Sequence, residues 1–226
     1  MKIIAVSDLH GVLPKIPEAD LLLICGDIVP CMIQRNDKQS ALWFSRQFTD
    51  WLNEIPVKHV AGIAGNHDFY LYNRWLKGDM TSPAASNKFT YLLDSACVID
   101  GIKIFGTPWC AGLPNWAFDL NTHHPNDYFD KVIPECDILL THMPPAFGAL
   151  GIVHQPGWNY MEDYSSVELR NAVKPGTRYI FCGHVHSGKH ALKEDPETKI
   201  KYANVSVLDE DYKYRYWPLE IEWTEK

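Results

Sequence analysis

Residues 179–186 read Tyr-Ile-Phe-Cys-Gly-His-Val-His: an apolar, strand-like run, a glycine, and two imidazoles separated by one valine. Side chains two apart on an extended chain share a face, so His184 and His186 are able to point together. They are either part of a polar turn or half of a grip on a cation. The residues at the ends of the other apolar runs decide between these readings.

Working outward, four more runs end in comparable residues. After residues 2–7 comes Asp8-Leu9-His10, and after 20–25 comes Gly26-Asp27. After 58–64 comes Gly65-Asn66-His67-Asp68, and after 137–141 comes His142. Asp-x-His or Gly-Asp alone is an ordinary turn, and His142 alone carries no signal. Five strand ends in succession bearing metal-binding groups are hard to explain as turns. In open α/β sheets, ligands bind outside the carboxyl ends of the strands, where residues remote in sequence converge. The glycines at 26, 65 and 183 suit exits where a side chain would obstruct the chain.

The donors are carboxylate, imidazole and amide oxygen, without thiolate. That mixture favours Mn, Fe or Zn at an open site over a structural zinc cage. There are too many donors for one ion, so two divalent ions are expected, Mn foremost, with Fe, Zn, Ni or Co also suited. Two ions need a bridging carboxylate, and Asp27, alone at its strand end, is the candidate.

The bulk numbers are compatible with this. The 226 residues are 46% hydrophobic, enough for one domain over 1–226 with a real core. A net charge of −7 gives no basic footprint, so duplex nucleic acid is not an expected partner. No apolar run approaches the roughly 18 residues of a membrane span, and no secretory leader is visible. The six cysteines lack paired spacing and are read as reduced thiols of a cytoplasmic protein. Nothing in the sequence sets the oligomeric state.

Helices are expected over 40–53, capped by Ser40, and over 165–173, where Ser165 or Ser166 precedes Glu168. A hairpin is expected from strands at 97–99 and 102–105 around Asp100-Gly101, with a further strand at 89–93. The tail over 200–207 and 214–223 is also strand-like. Residues 107–136 read as long loops; their His123 and His124, together with His154, are read as solvated or, failing that, as reaching a substrate. Trp109, Trp116 and Trp158 are possible pocket walls. The mixture implies an α/β fold with helices outside a sheet or a sheet pair.

Taken together, the blocks Asp-x-His, Gly-Asp, Gly-Asn-His-Asp, a lone His and Gly-His-x-His resemble those of the calcineurin-like metallophosphoesterases. The resemblance spans Asp8 to His186. It implies a two-sheet β-sandwich flanked by helices. It also implies one ion on Asp8, His10 and His186, a second on Asn66, His142 and His184, and Asp27 between them. His67 would face the substrate, oriented by Asp68. Phe105-Gly106-Thr107-Pro108-Trp109 and Leu140-Thr141-His142-Met143-Pro144-Pro145 look similar to a branch of small members that includes phosphodiesterases acting on cyclic nucleotides. The apolar Ile28-Val29 departs from the more polar residues many members carry there.

The implied activity is hydrolysis of a small phosphate ester, foremost a phosphodiester such as a nucleotide or cyclic nucleotide, through a metal-activated hydroxide. The same donors also serve phosphomonoesterases, nucleotide pyrophosphohydrolases and single-strand nucleases. A scaffold that has lost catalysis would be expected to have lost donors, and none is missing.

Overall fold

The apolar runs become strands covered on both faces. A computed structural model describes residues 1–153, 161–187 and 190–224. The first strands are β1 (Lys2–Val6), β2 (Ala19–Cys25), β3 (Val57–Ile63) and β4 (Phe89–Tyr91). Next come β5 (Ser95–Ile99), β6 (Ile102–Thr107), β7 (Ile138–Thr141), β8 (Ile152–Val153) and β9 (Glu162–Asp163). The last are β10 (Tyr179–Cys182), β11 (Lys193–Glu194), β12 (Lys201–Asn204) and β13 (Leu219–Glu222). One sheet has the order β13-β1-β2-β3-β4, the other β11-β12-β10-β7-β6-β5, and β8 pairs with β9 alone.

Alternation along the strands builds two cores. Leu21, Leu23 and Cys25 face the other sheet, where Ile104, Leu140 and Phe181 meet them. Leu22 and Ile24 face the opposite way, toward Phe44, Phe48 and Leu52 of the helical layer. A strand sandwiched between a sheet and helices has no polar face, which is why residues 21–25 read as continuously apolar. The fold is α/β, two mixed sheets flanked by helices.

The centre of each sheet is parallel: β1, β2 and β3 in one, β6, β7, β10 and β12 in the other. Their carboxyl ends therefore share an edge. The sheets touch at that edge through a bridge between Ser7 and Ser206, with Ser7 N–H donating to Val205 O at 2.8 Å. This joint brings the end of β1 to the end of β12, beside β10.

Several local readings need correction. The helix expected over 40–53 begins earlier, as α1 (Asp37–Trp43), and continues through a π-helical segment (Phe44–Phe48) into α2 (Thr49–Glu54). Asn36 caps it, accepting from Gln39 N–H at 3.1 Å, while Ser40 is buried and donates to Ile33 O. A short helix α3 (Phe69–Trp75) comes after the third site block, too brief to show a period. The 107–136 stretch holds α4 (Leu120–His123) and α5 (Tyr128–Val132). Ser166 caps α6 (Val167–Ala172) by accepting from Leu169 N–H. The hairpin β5–β6 turns at Asp100-Gly101, both with positive φ, as the favoured two-residue turn requires. Residues 89–91, by contrast, join the first sheet beside β3.

Leu23 is fully buried between the sheets, whereas Val98 on edge strand β5 is 68% exposed. Leu23→Ala should destabilise the fold by about 2–5 kcal/mol. Val98→Ala should cost less than about 0.5 kcal/mol. Urea unfolding of the two variants checks the pair; equal midpoints would contradict the sandwich packing.

Candidate metal centre

The five strand ends meet at one place. From β1 come Asp8 and His10, from β2 Asp27, from β3 Asn66 and His67, from β7 His142, and from β10 His184 and His186. Asp8, Asp27, Asn66, His10, His142 and His186 are all buried, and His184 and His67 are partly so.

Asp8, His10 and His186 offer donor atoms that lie together, with His186 Nε2 3.2 Å from Asp8 Oδ1. Asn66 Oδ1 lies 3.0 Å from His142 Nε2 and 2.9 Å from His184 Nδ1, forming a second group. Asp27 stands between them. Its Oδ2 is 3.6 Å from His10 Nε2 on one side and 3.2 Å from His142 Nε2 on the other. Its Oδ1 accepts the His67 backbone N–H at 2.8 Å.

The backbone is strained to achieve this. Asp8, His10, Asp27 and His184 all have positive φ, between 41° and 68°. Such conformations cost about 1–3 kcal/mol each and persist where surrounding contacts enforce them. Space is equally tight. A methyl group on Gly183 would collide with Ser7 and Asp8, and one on Gly65 would collide with Asp27 and His142. At these two positions glycine serves close approach rather than an unusual turn.

The residues fit a pair of cations by their own chemistry. A ligating imidazole usually donates its far N–H to a fixed acceptor, which aims the other nitrogen. His142 Nδ1–H donates to Cys25 O at 2.7 Å, and His186 Nδ1–H donates to Asp209 O at 3.1 Å. In both, Nε2 is left to face the carboxylates. His10 Nδ1 lies 3.2 Å from Cys31 Sγ, while His10 Nε2 is buried with no hydrogen-bond partner among the described residues. An orphaned buried nitrogen aimed at a carboxylate is what a cation site looks like from the protein side.

Burial and the facing carboxylates pull the site's histidines in opposite directions. Burial opposes a charged imidazole, but the Asp27 carboxylate overrides this and raises His142 to about 9. Asp8 does the same for His186, again to about 9. Burial likewise opposes ionisation of Asp8 and Asp27; the neighbouring histidines win, and both carboxyls are held well below the usual range. In His10 and His184 burial dominates and lowers the pKa to about 4. Cations would take the place of these protons, since metal ligands must bind deprotonated.

One expected role is corrected. Asp68 does not orient the His67 ring. Its buried carboxylate accepts N–H groups from Ile28, Val29 and Gly65, at 2.8–3.2 Å. It thereby pins the turn after Asp27 to the turn after β3, and makes no hydrogen bond to the His67 ring. Burial and the Asp27 charge push it up to about 7, against those three amides. The apolar Ile28-Val29 is explained by the same contact: both side chains are fully buried while their N–H groups serve Asp68.

His123 and His124 do not come to the site. His123 packs on Trp75 and Tyr72, and His124 stacks on Tyr128 at 3.7 Å and against Trp109. His154 and Trp158 lie outside the described residues. Trp116 does come to the site, at 4.6 Å from the His67 ring, and Tyr212 joins it at 4.9 Å from the His10 and His186 rings. Tyr212 escaped the sequence reading, because no strand-end pattern marks the turn on which it sits. All six cysteines are free. No helix among the described residues is long and apolar enough to cross a membrane.

Comparison with known proteins gives the family. A family model described as calcineurin-like phosphoesterase matches residues 1–188. A UPF0046 protein of Caenorhabditis elegans is 29% identical, aligned over 97% of this chain and 79% of its own. Human metallophosphoesterase domain-containing protein 1 is 28% identical, over 98% of this chain and 70% of its own. A solved archaeal phosphodiesterase is 15% identical and aligns over 97% of this chain and 100% of its own at a TM-score of 0.40. With the family match covering all five strand-end blocks, this chain belongs to the calcineurin-like phosphoesterase family, whose members are metal-dependent phosphoester hydrolases.

Proposed function

We propose that the protein is a dinuclear phosphodiesterase. Asp8, His10 and His186 would hold one divalent ion, Asn66, His142 and His184 the other, and Asp27 would bridge them; Mn is the ion we expect. The single observation supporting this is the convergence of seven donors from five strand ends, with His67 beside them. Such a pair of ions supplies an activated water and neutralises the phosphoryl oxygens.

His67 is placed to do the rest. Its ring stands over the donor cluster, Nε2 is 3.9 Å from Asp27 Oδ2, and Nδ1 is buried with no partner among the described residues. It hydrogen-bonds or protonates the leaving oxygen. Its orientation comes from the Asp27 contact to its backbone N–H and from the ring of Trp116. The preference for a diester rests on the walls. The adjoining cavity, of about 260 Å³, is lined by Leu113, Trp116, Val153, Tyr164 and Tyr212, with Glu210 adding a carboxylate. The apolar side chains among these walls suit organic ester groups, and the Glu210 carboxylate disfavours a dianionic monoester over a monoanionic diester.

Elemental analysis of the protein loaded with Mn should find about two ions per chain. Asp27→Asn should lose metal and activity together. His67→Ala should keep its metal and lose ~10²–10⁴-fold in rate, most for esters with poor leaving groups; a metal-free His67→Ala would overturn its assignment. With metal in place, bis-p-nitrophenyl phosphate should be cleaved with a higher kcat/KM than p-nitrophenyl phosphate. The reverse order would make the enzyme a monoesterase.

A further inference from the structure

Cys31 is a donor that neither the five strand-end blocks nor the proposed pair of ions uses. It follows Asp27 and the turn that Asp68 pins. Its Sγ lies 3.2 Å from His10 Nδ1, whereas His10 Nε2 is the nitrogen that faces Asp27. One donor atom each from Cys31, His10 and His67 lie within 4.8 Å of one another. All three residues line an open cavity of about 440 Å³, bounded also by Pro30, Met32, Leu208 and Tyr212, which gives this cluster a route from solvent.

Two features set the cluster apart from an ordinary packing contact. His67 Nδ1 is buried and has no hydrogen-bond partner among the described residues, although the ring is held by His10 and Trp116, each at 4.6 Å. A buried nitrogen left without a partner is costly unless a ligand completes it. The second feature is the sulfur. Behind His142 and His186 the outer ring nitrogen meets a backbone oxygen, while behind His10 it meets a thiol, a weak hydrogen-bonding group. A sulfur and a nitrogen bound to one tetrahedral zinc lie roughly 3.5 Å apart, given the usual bond lengths. The Cys31–His10 pair already stands near that spacing.

We propose that Cys31, His10 and His67 form a further metal site, selective for a thiophilic divalent cation such as Zn²⁺ or Cd²⁺, and that filling it switches the phosphoesterase centre off. The switching rests on the phosphoesterase reading; the site itself does not. Thiolate with imidazole favours zinc-like ions, whereas carboxylate-rich donors suit Mn. Binding replaces the Cys31 thiol proton by the cation and releases that proton to water, with no change of oxidation state. His10 is the shared part. A neutral imidazole carries one proton on its two nitrogens. With Nε2 free to serve the Asp8–Asp27 side, the proton sits on Nδ1. A cation at Nδ1 sends that proton to Nε2 and withdraws His10 from the two carboxylates. His67 is drawn away from the leaving oxygen at the same time. A rival thiol, Cys110, clusters with His142 and His184 but is fully buried.

Titrating Cd²⁺ into the Mn-loaded protein tests this, because a thiolate bound to cadmium absorbs in the ultraviolet. Wild type should gain the absorbance of one thiolate per chain and lose hydrolysis of bis-p-nitrophenyl phosphate over the same cadmium range. Cys31→Ser keeps a hydrogen-bonding group beside His10 Nδ1 but should lack the absorbance. Relative to its own Mn-loaded rate, it should need at least about tenfold more cadmium for half-inhibition, since even groups behind a metal ligand are worth ~10–100-fold in metal affinity. Cys110→Ser should titrate as wild type does. Absorbance that survives Cys31→Ser, or that is lost in Cys110→Ser instead, overturns the site. Equal half-inhibition of wild type and Cys31→Ser overturns the switch. If Mn-loaded wild type cleaves no ester, the phosphoesterase reading fails, and the absorbance alone then decides for or against the site.

Discussion

Two carboxylates, Asp8 and Asp27, are buried side by side at the ends of neighbouring parallel strands, and the site is organised around neutralising them. A buried carboxylate without partners is costly enough to protonate or to unfold its surroundings. Here each faces an imidazole that it raises, Asp8 that of His186 and Asp27 that of His142. Both of those histidines come from the other sheet, so this pairing works only if the sheets meet at this edge. The Ser7–Ser206 bridge is where they do. Electrostatics and topology therefore impose the same constraint: the sandwich must close at the carboxyl ends of β1 and β12 for the donors to exist as a group.

The strain in the turns arises from the same demand. A strand that ended in an ordinary extended exit would carry its side chains past the neighbouring strand. The left-handed conformations at Asp8, His10, Asp27 and His184 turn them inward instead. Aspartate and histidine tolerate that region better than most residues, which makes the donors themselves suited to the turns that position them. Asp68 adds the fastening, since one carboxylate holds backbone from the turn at Asp27 and from the turn after β3.

Much of this was legible in the sequence because it depends on short-range regularities. Continuously apolar runs identified strands β1, β2, β3, β7 and β10, and the Asp, Asn and His just beyond each are the residues that the fold brings together. The role of Asp68 was not legible, because adjacency in sequence to His67 does not survive the turn that carries one side chain toward the cavity and the other beneath it. The start of α1 was misread since Ser40 and Asn36 are equally good caps by residue type, and only burial of Ser40 distinguishes them. The order within 107–136 depends on Asp94, which accepts from Thr107, Trp109 and Tyr128. No local pattern announces a hub whose farthest partner is 34 residues away.

This difference in legibility reflects a physical division within the site. The donors project from the ends of hydrogen-bonded parallel strands, where backbone position is dictated by the whole sheet. The walls, Trp116 and Tyr212, belong to connecting segments held by a handful of contacts such as those of Arg35 and Asn66. Changing a donor disturbs charge, strain and close packing at once. Changing a wall residue alters ring packing, at Trp116 against His67 and at Tyr212 against His10 and His186. The strand-end group and its walls are thus held in different ways, the first by the ladders of two parallel sheets, the second by ring contacts and a few hydrogen bonds from connecting segments.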